Sequence, residues 1–291
     1  MLLLSACASQ AVKSREPLPA EEIMHIAKDF KSLIDANREA HLAKDFVGIE
    51  ALFTEDMSFD DYSFEDHLVG TDQFMGMTRN FLNYFKHLQW QTTYYFISLD
   101  KIVTIAKFWD MNWMGKAYKE ENPFIHVFLF EPQGDLISAW RLFYSVDFLL
   151  EQYRLSETEA AEMETALSAY ASAWSSMDSK IIAEMYASNV VCQDTLFDEY
   201  QDGRDAIQAF AESFITWYPN AHWTSHQMFG ESAYPDQPQT IGSSYTIEVT
   251  DPTGDPCQIM TVVLLQVLDG KIIHEELYYE PDTLIACGWA R

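Results

Sequence analysis

Two aspartates, Asp61 and Asp194, are the residues in this chain best suited to acid–base chemistry. They stand 133 residues apart, at matching points of two similar stretches. On a regular strand Asp61 shares its face with Phe59 and Ser63, and Asp194 shares its face with Cys192 and Leu196. A carboxylate among apolar neighbours loses solvation, so its pKa climbs toward the working pH, as a general base requires. The competing reading makes both of them strand-end or turn aspartates that cap backbone amides and recur because the chain repeats. The acidic residues around them, including Asp60, Asp66 and Glu199, favour that plainer role.

His126 sits on an apolar strand face with Phe124, Phe128 and Phe130, and the matching residue of the second stretch is Thr261. A polar group there must find a partner or face a cavity. A satisfied core histidine is the commoner outcome; in a pocket the imidazole would donate to a developing oxyanion or shuttle a proton. His274 and Glu276 share a face with Tyr278, which reads either as an acid–base pair or as a surface ion pair. Trp109, Met111 and Trp113 line one face of a strand, with Asp110 and Asn112 on the other. One of those faces belongs to a pocket and the other to a sheet–sheet contact, and alternation does not say which; core or interface packing is the favoured role of the two tryptophans. Trp174, Tyr245 and Gln258 complete the candidate ligand contacts. The four Cys form no C-x-x-C pair, and neither H-E-x-x-H nor a glycine-rich phosphate loop occurs. No metal site and no cofactor are expected.

The elements that would carry these residues occur twice. Asp45 and Asp178, Asp61 and Asp194, Gly70 and Gly203, Trp90 and Trp223, and Phe96 and Phe229 are each 133 apart. Further on the spacing becomes 135, as in Val127 and Val262, Leu129 and Leu264, and Tyr144 and Tyr279. A period this long means a duplicated domain and not a solenoid. The seam falls near 152–157, where Ser156-Glu157-Thr158-Glu159 reads as a helix start. Domains are therefore expected at 20–152 and 153–291, after an N-terminal segment 1–19. Each unit reads as helix, helix, strand, helix and four strands. Helices are expected at 20–43, 46–54, 157–177 and 179–187. Third helices carry apolar stripes at Phe74, Met77, Phe81 and Phe85, and at Ile207, Phe210, Phe214 and Trp217. Strands are expected at 88–98, 102–114, 123–131 and 136–145, and again at 222–229, 240–250, 257–267 and 271–280. This is an α+β plan, with helices set against one face of a curved antiparallel sheet.

Composition narrows the partners. The chain has 291 residues, and 18 Lys and Arg against 45 Asp and Glu leave a net charge of −27. That balance argues against nucleic acid and anionic lipid headgroups, while 48% hydrophobic residues provide for packed cores. Leu4-Ser5-Ala6-Cys7 fits the end of a bacterial lipoprotein signal, with Cys7 as the lipidated residue and residues 8 to 19 as a tether. The basic and apolar stretch that should precede it is missing, so the alternative is a chance match. The expectation is a periplasmic protein with a lipid anchor to the envelope. Of the other cysteines, Cys192, Cys257 and Cys287, at most one pair can form a disulfide; three small buried hydrophobes is the simpler reading.

The stretches "LIDANREAHLAKDFVGIEALFTEDMSFDD" and "SAYASAWSSMDSKIIAEMYASNVVCQD" resemble the opening of SnoaL-like domains of the NTF2-like superfamily. So do the Gly-x-Asp helix starts at Gly70–Asp72 and Gly203–Asp205, and "DGKIIHEELYYEPDTLIACG" resembles the closing strand and tail. The resemblance implies two tandem cone-shaped domains packed as an intramolecular pseudo-dimer, each cone admitting a small, mostly apolar molecule. It also implies that Asp61 and Asp194 stand where ketosteroid isomerase and its relatives place a carboxylate base. The expected chemistry is isomerisation, cyclisation, dehydration or epoxide opening without a cofactor. The alternatives are a carrier or sensor of an apolar ligand and an envelope interaction lipoprotein.

Overall fold

The computed structural model of the protein describes residues 19–288 apart from 65, 153, 195–198, 232–237 and 252. Cys7, residues 8–18 of the tether and Leu196 lie outside the described residues, as does the side chain of Asp194. The first unit comprises α1 (Ala20–Ala43), α2 (Phe46–Glu50), β1 (Phe53–Asp61), β2 (Asp66–Val69), α3 (Thr71–Tyr84), β3 (Gln89–Ile97), β4 (Ile102–Trp109), β5 (Met111–Trp113), β6 (Lys116–Tyr118), β7 (Phe124–Gln133), β8 (Leu136–Ser145) and α4 (Val146–Glu151). The second comprises α5 (Glu157–Ser175), α6 (Ser179–Glu184), β9 (Tyr186–Asp194), β10 (Glu199–Asp202), α7 (Arg204–Trp217), β11 (His222–Gly230), β12 (Gln239–Thr250), β13 (Pro256–Leu268), β14 (Lys271–Tyr279) and α8 (Pro281–Ala286).

Local chemistry sets the boundaries. Ser156 and Glu159 form a reciprocal capping box that opens α5. Gly70 and Gly203 precede α3 and α7 with φ of 90° and 89°, a left-handed turn that glycine adopts at little cost. A Cβ at Gly203 would also lie 3.3 Å from the Ser188 carbonyl oxygen. The expected apolar stripe of α7 holds for Ile207 and Phe214, but Trp217 at the helix end is exposed.

The sheet is mixed. Neighbouring strands run β10-β9-β14-β13-β12-β11-β8-β7-β4-β3. Within each unit the last four main strands are antiparallel, whereas β1 runs parallel to β8 and β9 parallel to β14. The helix after each first strand carries the chain across, as a parallel pairing demands. The units also join through the sheet: Gly230 pairs with Tyr144, and Tyr279 with Ile97. Those two pairings are the same contact with the units exchanged.

The strand expected at 102–114 is broken. β4 stops at Trp109, Asp110 has a φ of 57°, and β5 and β6 fold as a separate hairpin. Its turn residues Met114 and Gly115, at φ 52° and 80°, supply the two positive φ values that a two-residue hairpin turn needs.

Buried apolar side chains fall into two clusters. The larger fills the space between helices and sheet in both units. The smaller draws on repeated positions of the two halves: Phe96 and Phe229, Val127 and Val262, Leu129 and Leu264, Phe143 and Tyr278. Cys257 and Cys287 form a disulfide that ties β13 to the end of α8, and Cys192 is a buried thiol. The simpler reading of three unbridged cysteines is thus corrected.

Candidate active site

Asp61 ends β1, where inward positions alternate through Met57 and Phe59 to the carboxylate. Its Oδ2 accepts a hydrogen bond from the buried Tyr144 hydroxyl, and its Oδ1 has no partner among the described residues. Burial pushes its pKa up to about 7, against the opposing pull of the Tyr144 hydrogen bond, and Asp66 adds a smaller upward push. The same carboxylate drives the Tyr144 phenol well above its ordinary value, second to burial. At neutral pH, Asp61 is therefore divided between acid and base forms.

Tyr144 links this carboxylate to His126, whose ring lies 4.7 Å from the Tyr144 ring. His126 is enclosed by aromatic edges, with Phe124 at 4.3 Å, Phe108 at 5.4 Å and Trp113 at 5.8 Å. Burial alone lowers its pKa to about 3, so the imidazole stays neutral at physiological pH. Its Nε2 is buried and unpartnered among the described residues, as is the Tyr118 hydroxyl. The β5–β6 hairpin supplies Trp113, which packs on Phe124 at 4.8 Å and on Phe148 of α4 at 5.4 Å. Lys116 clasps the hairpin to Glu151 of α4 at 2.7 Å. This assembly sets a buried carboxylate and a neutral imidazole in one aromatic enclosure, the kind of setting in which a general base and a hydrogen-bond donor can work together.

The deeper wall of the same interior carries more unsatisfied groups. Among the described residues, neither side-chain polar atom of the fully buried Asn37 on α1 has a partner, nor do the indole nitrogens of Trp90 and Trp140. His41, one helical turn on, bonds through Nδ1 to the Asn37 carbonyl at 2.8 Å, and burial brings its pKa down to about 4.

The second interior is built around Glu275, a residue the sequence reasoning missed. Glu275 is fully buried on β14 and accepts hydrogen bonds from the hydroxyls of Tyr170 and Tyr186 (the latter at 2.8 Å) and from Cys192 Sγ at 3.2 Å. Burial raises its pKa, and the three donors pull against that shift. A small cavity beside it is walled by Trp174, Trp223 and Phe214. Trp174 and Tyr245 both belong to this interior, and the Tyr245 hydroxyl donates to the Leu167 carbonyl at 3.3 Å.

Four of the expected contacts lie elsewhere. His274 and Glu276 face the cleft between the two units, where Glu276 takes hydrogen bonds from Lys101 at 2.9 Å, His274 at 3.1 Å and Tyr278. Their alternation was read correctly, but a bulge at Ile273, between the pairs Gln266–His274 and Val267–Ile272, turns Glu275 inward in their place. Gln258 is exposed and donates to Glu248 at 3.2 Å, since its neighbour Ile259 takes the inward position. Trp109 is half-buried and alternates with the inward Phe108, which places it on the opposite face of β4. Thr261, in the position of His126, donates to the Tyr278 carbonyl at 2.7 Å.

The SnoaL-like domain family matches residues 167–275. No curated protein matches the chain. Among solved structures, a hypothetical protein with a ketosteroid isomerase-like fold from Catenulispora acidiphila, in complex with trimethylamine, is 18% identical, with 43% of this chain and 93% of that chain covered at a TM-score of 0.36. The epoxide hydrolase/cyclase-like enzyme SalBIII of pyran ring formation in salinomycin is 20% identical, with coverages of 46% and 95% and a TM-score of 0.35. An NTF-2 like protein of unknown function from Burkholderia xenovorans is 22% identical, with coverages of 41% and 84% and a TM-score of 0.33. The stretch that matches the SnoaL-like family lies in the second of the two repeated units, and this is the family that the repeated sequence resembles.

Proposed function

We propose that the N-terminal unit binds a small, mostly apolar molecule and carries out cofactor-free acid–base chemistry on it. Asp61 is the general base, His126 donates a hydrogen bond to the oxyanion that develops, and Tyr144 holds the Asp61 carboxylate in place. The observation that carries this reading is the buried Asp61 carboxylate with a pKa of about 7 and an Oδ1 that no described residue reaches, joined through Tyr144 to a neutral imidazole whose Nε2 has no partner among the described residues. Trp113, Phe124 and Phe148 form the apolar wall against which such a molecule packs. The C-terminal unit serves as the structural partner in an intramolecular pseudo-dimer. A lipid-anchored envelope protein fits the Cys257–Cys287 disulfide, because such bonds persist in oxidising compartments.

A base of this kind exchanges an acidic C–H proton with solvent before any later step. A panel of apolar cyclic ketones in D2O, followed by proton NMR, reads that event directly. The expected result is deuterium uptake accelerated by the protein and lost in Asp61→Asn, with ligand affinity retained within about tenfold. Equal exchange by both proteins would remove Asp61 from the role. The closed aromatic wall supports a second reading, carriage of an apolar ligand without turnover; binding by both proteins with exchange by neither would select it.

A further inference from the structure

The two units meet through the strand pairs β8–β11 and β14–β3 and through an apolar cluster that also draws on β4, β7 and β13, and the apolar part of that contact has the same character on both sides. Leu129 matches Leu264 and Val127 matches Val262, so these residues cannot distinguish one unit from the other. The charged part is different. Arg141 on β8 and Glu276 on β14 hold one position of the repeat, 135 residues apart, and each pairs across its sheet with the equivalent leucine, Leu129 and Leu264. The residues they reach are also equivalent. Ser98 and Lys101 bracket the β3–β4 turn, with the Ser98 amide bonded to the Lys101 carbonyl at 2.9 Å. Glu231 and Thr240 hold the matching places between β11 and β12, with the Glu231 amide bonded to the Thr240 carbonyl at 3.1 Å.

Each strand residue clamps the turn of the other unit. The Arg141 guanidinium makes a two-pronged contact with Glu231, through Nε at 2.7 Å and through Nη2, and also donates to Thr240 at 3.1 Å. Glu276 accepts from Lys101 at 2.9 Å. The N-terminal unit thus presents a cation from its strand and a cation from its turn, and the C-terminal unit presents an anion from each. The Glu231 side chain is 5% exposed and is met by Arg141 of the opposite unit, while that of Glu276 is 14% exposed and takes Lys101 of the opposite unit beside His274 and Tyr278 of its own. Two N-terminal units docked the same way would set Arg141 against Lys101, and two C-terminal units would bury Glu276 against Glu231. Like charges placed together on a dewatered face strongly oppose such pairings.

We propose that the face between the units is keyed by charge, so that an N-terminal unit accepts a C-terminal unit and rejects a copy of itself. Sign-reversed clamps on an otherwise matched apolar face direct the duplicated chain to close on itself.

A protease site inserted after Gln152 lets the folded full chain be nicked at the seam and examined by native mass spectrometry. The expected species is one N-terminal with one C-terminal piece, and pairs of like pieces overturn the proposal. Arg141→Glu should weaken retention of the two pieces by about a hundredfold, and adding Glu231→Arg should restore it to within about tenfold. If Arg141→Glu alone does not fold, the exchanged pair is compared with Glu231→Arg alone. Unchanged retention in a single variant, or no recovery in the exchanged pair, overturns the charge key.

Discussion

The two interiors use one scaffold for opposite ends. In the C-terminal unit, Tyr170, Tyr186 and Cys192 converge on Glu275 and satisfy it. The matching N-terminal positions hold Asn37, Phe53, Phe59 and Trp140, so neither that carboxylate nor the phenols that served it exist there. The N-terminal carboxylate is instead Asp61 at the end of β1, with the Tyr144 hydroxyl on Oδ2 and no partner for Oδ1 among the described residues. A buried acid surrounded by donors is a structural element, whereas one left half-satisfied retains the capacity to take a proton from something else. Matching strand positions thus hold a satisfied carboxylate cluster in one unit and aromatic side chains in the other.

The sharpest way to break this contrast is to remove each carboxylate. Glu275→Leu leaves two phenols and a thiol without their acceptor, and should cost about 4 kcal/mol in urea unfolding. A loss under about 1 kcal/mol would mean that the cluster contributes little to the fold. Asp61 should behave in the reverse sense. Its folded pKa of about 7 lies above the unfolded value near 3.8, so the native state holds the proton more tightly. The stability this provides is complete below about pH 4 and lost as pH rises through 7, up to about 4 kcal/mol in all. Asp61→Asn should abolish that slope and be the more stable protein at pH 8, as measured by melting across pH 4–9. A parallel slope in the variant would move the source elsewhere.

Smaller effects sharpen the picture. The Cys257–Cys287 bridge closes a separation of 30 residues, so Cys287→Ser should cost about 3 kcal/mol of equilibrium stability. Tyr144→Phe removes the stronger of the hydrogen bonds that favour the ionised Asp61. It should raise the pKa of that carboxylate by about one unit, seen as the same displacement of the pH profile of exchange.

Much of the architecture was legible because the repeat could be checked against itself. Gly70 and Gly203, the Ser156 helix start and the boundaries of α1 follow directly from residue pattern. The inward direction of Asp61 and His126 could be read from alternation, because β1 near its end and β7 near its start are regular. The failures have local causes. The bulge at Ile273 reverses the alternation of β14 and hides Glu275 behind His274 and Glu276. The left-handed Asp110 divides a strand that propensity alone would continue. Identity between the halves drew attention to shared residues, whereas Trp140 against Glu275 and Asn37 against Tyr170 are differences. A search for identity passes over such positions.

The most direct measurement is the titration of the Asp61 side-chain carboxyl by carbon-13 NMR in the intact protein. A midpoint near pH 7, moving upward in Tyr144→Phe, is the predicted result. A midpoint near 4, unaffected by that substitution, would show a carboxylate that is solvated and ordinary, and would contradict the assignment of the base to the N-terminal unit.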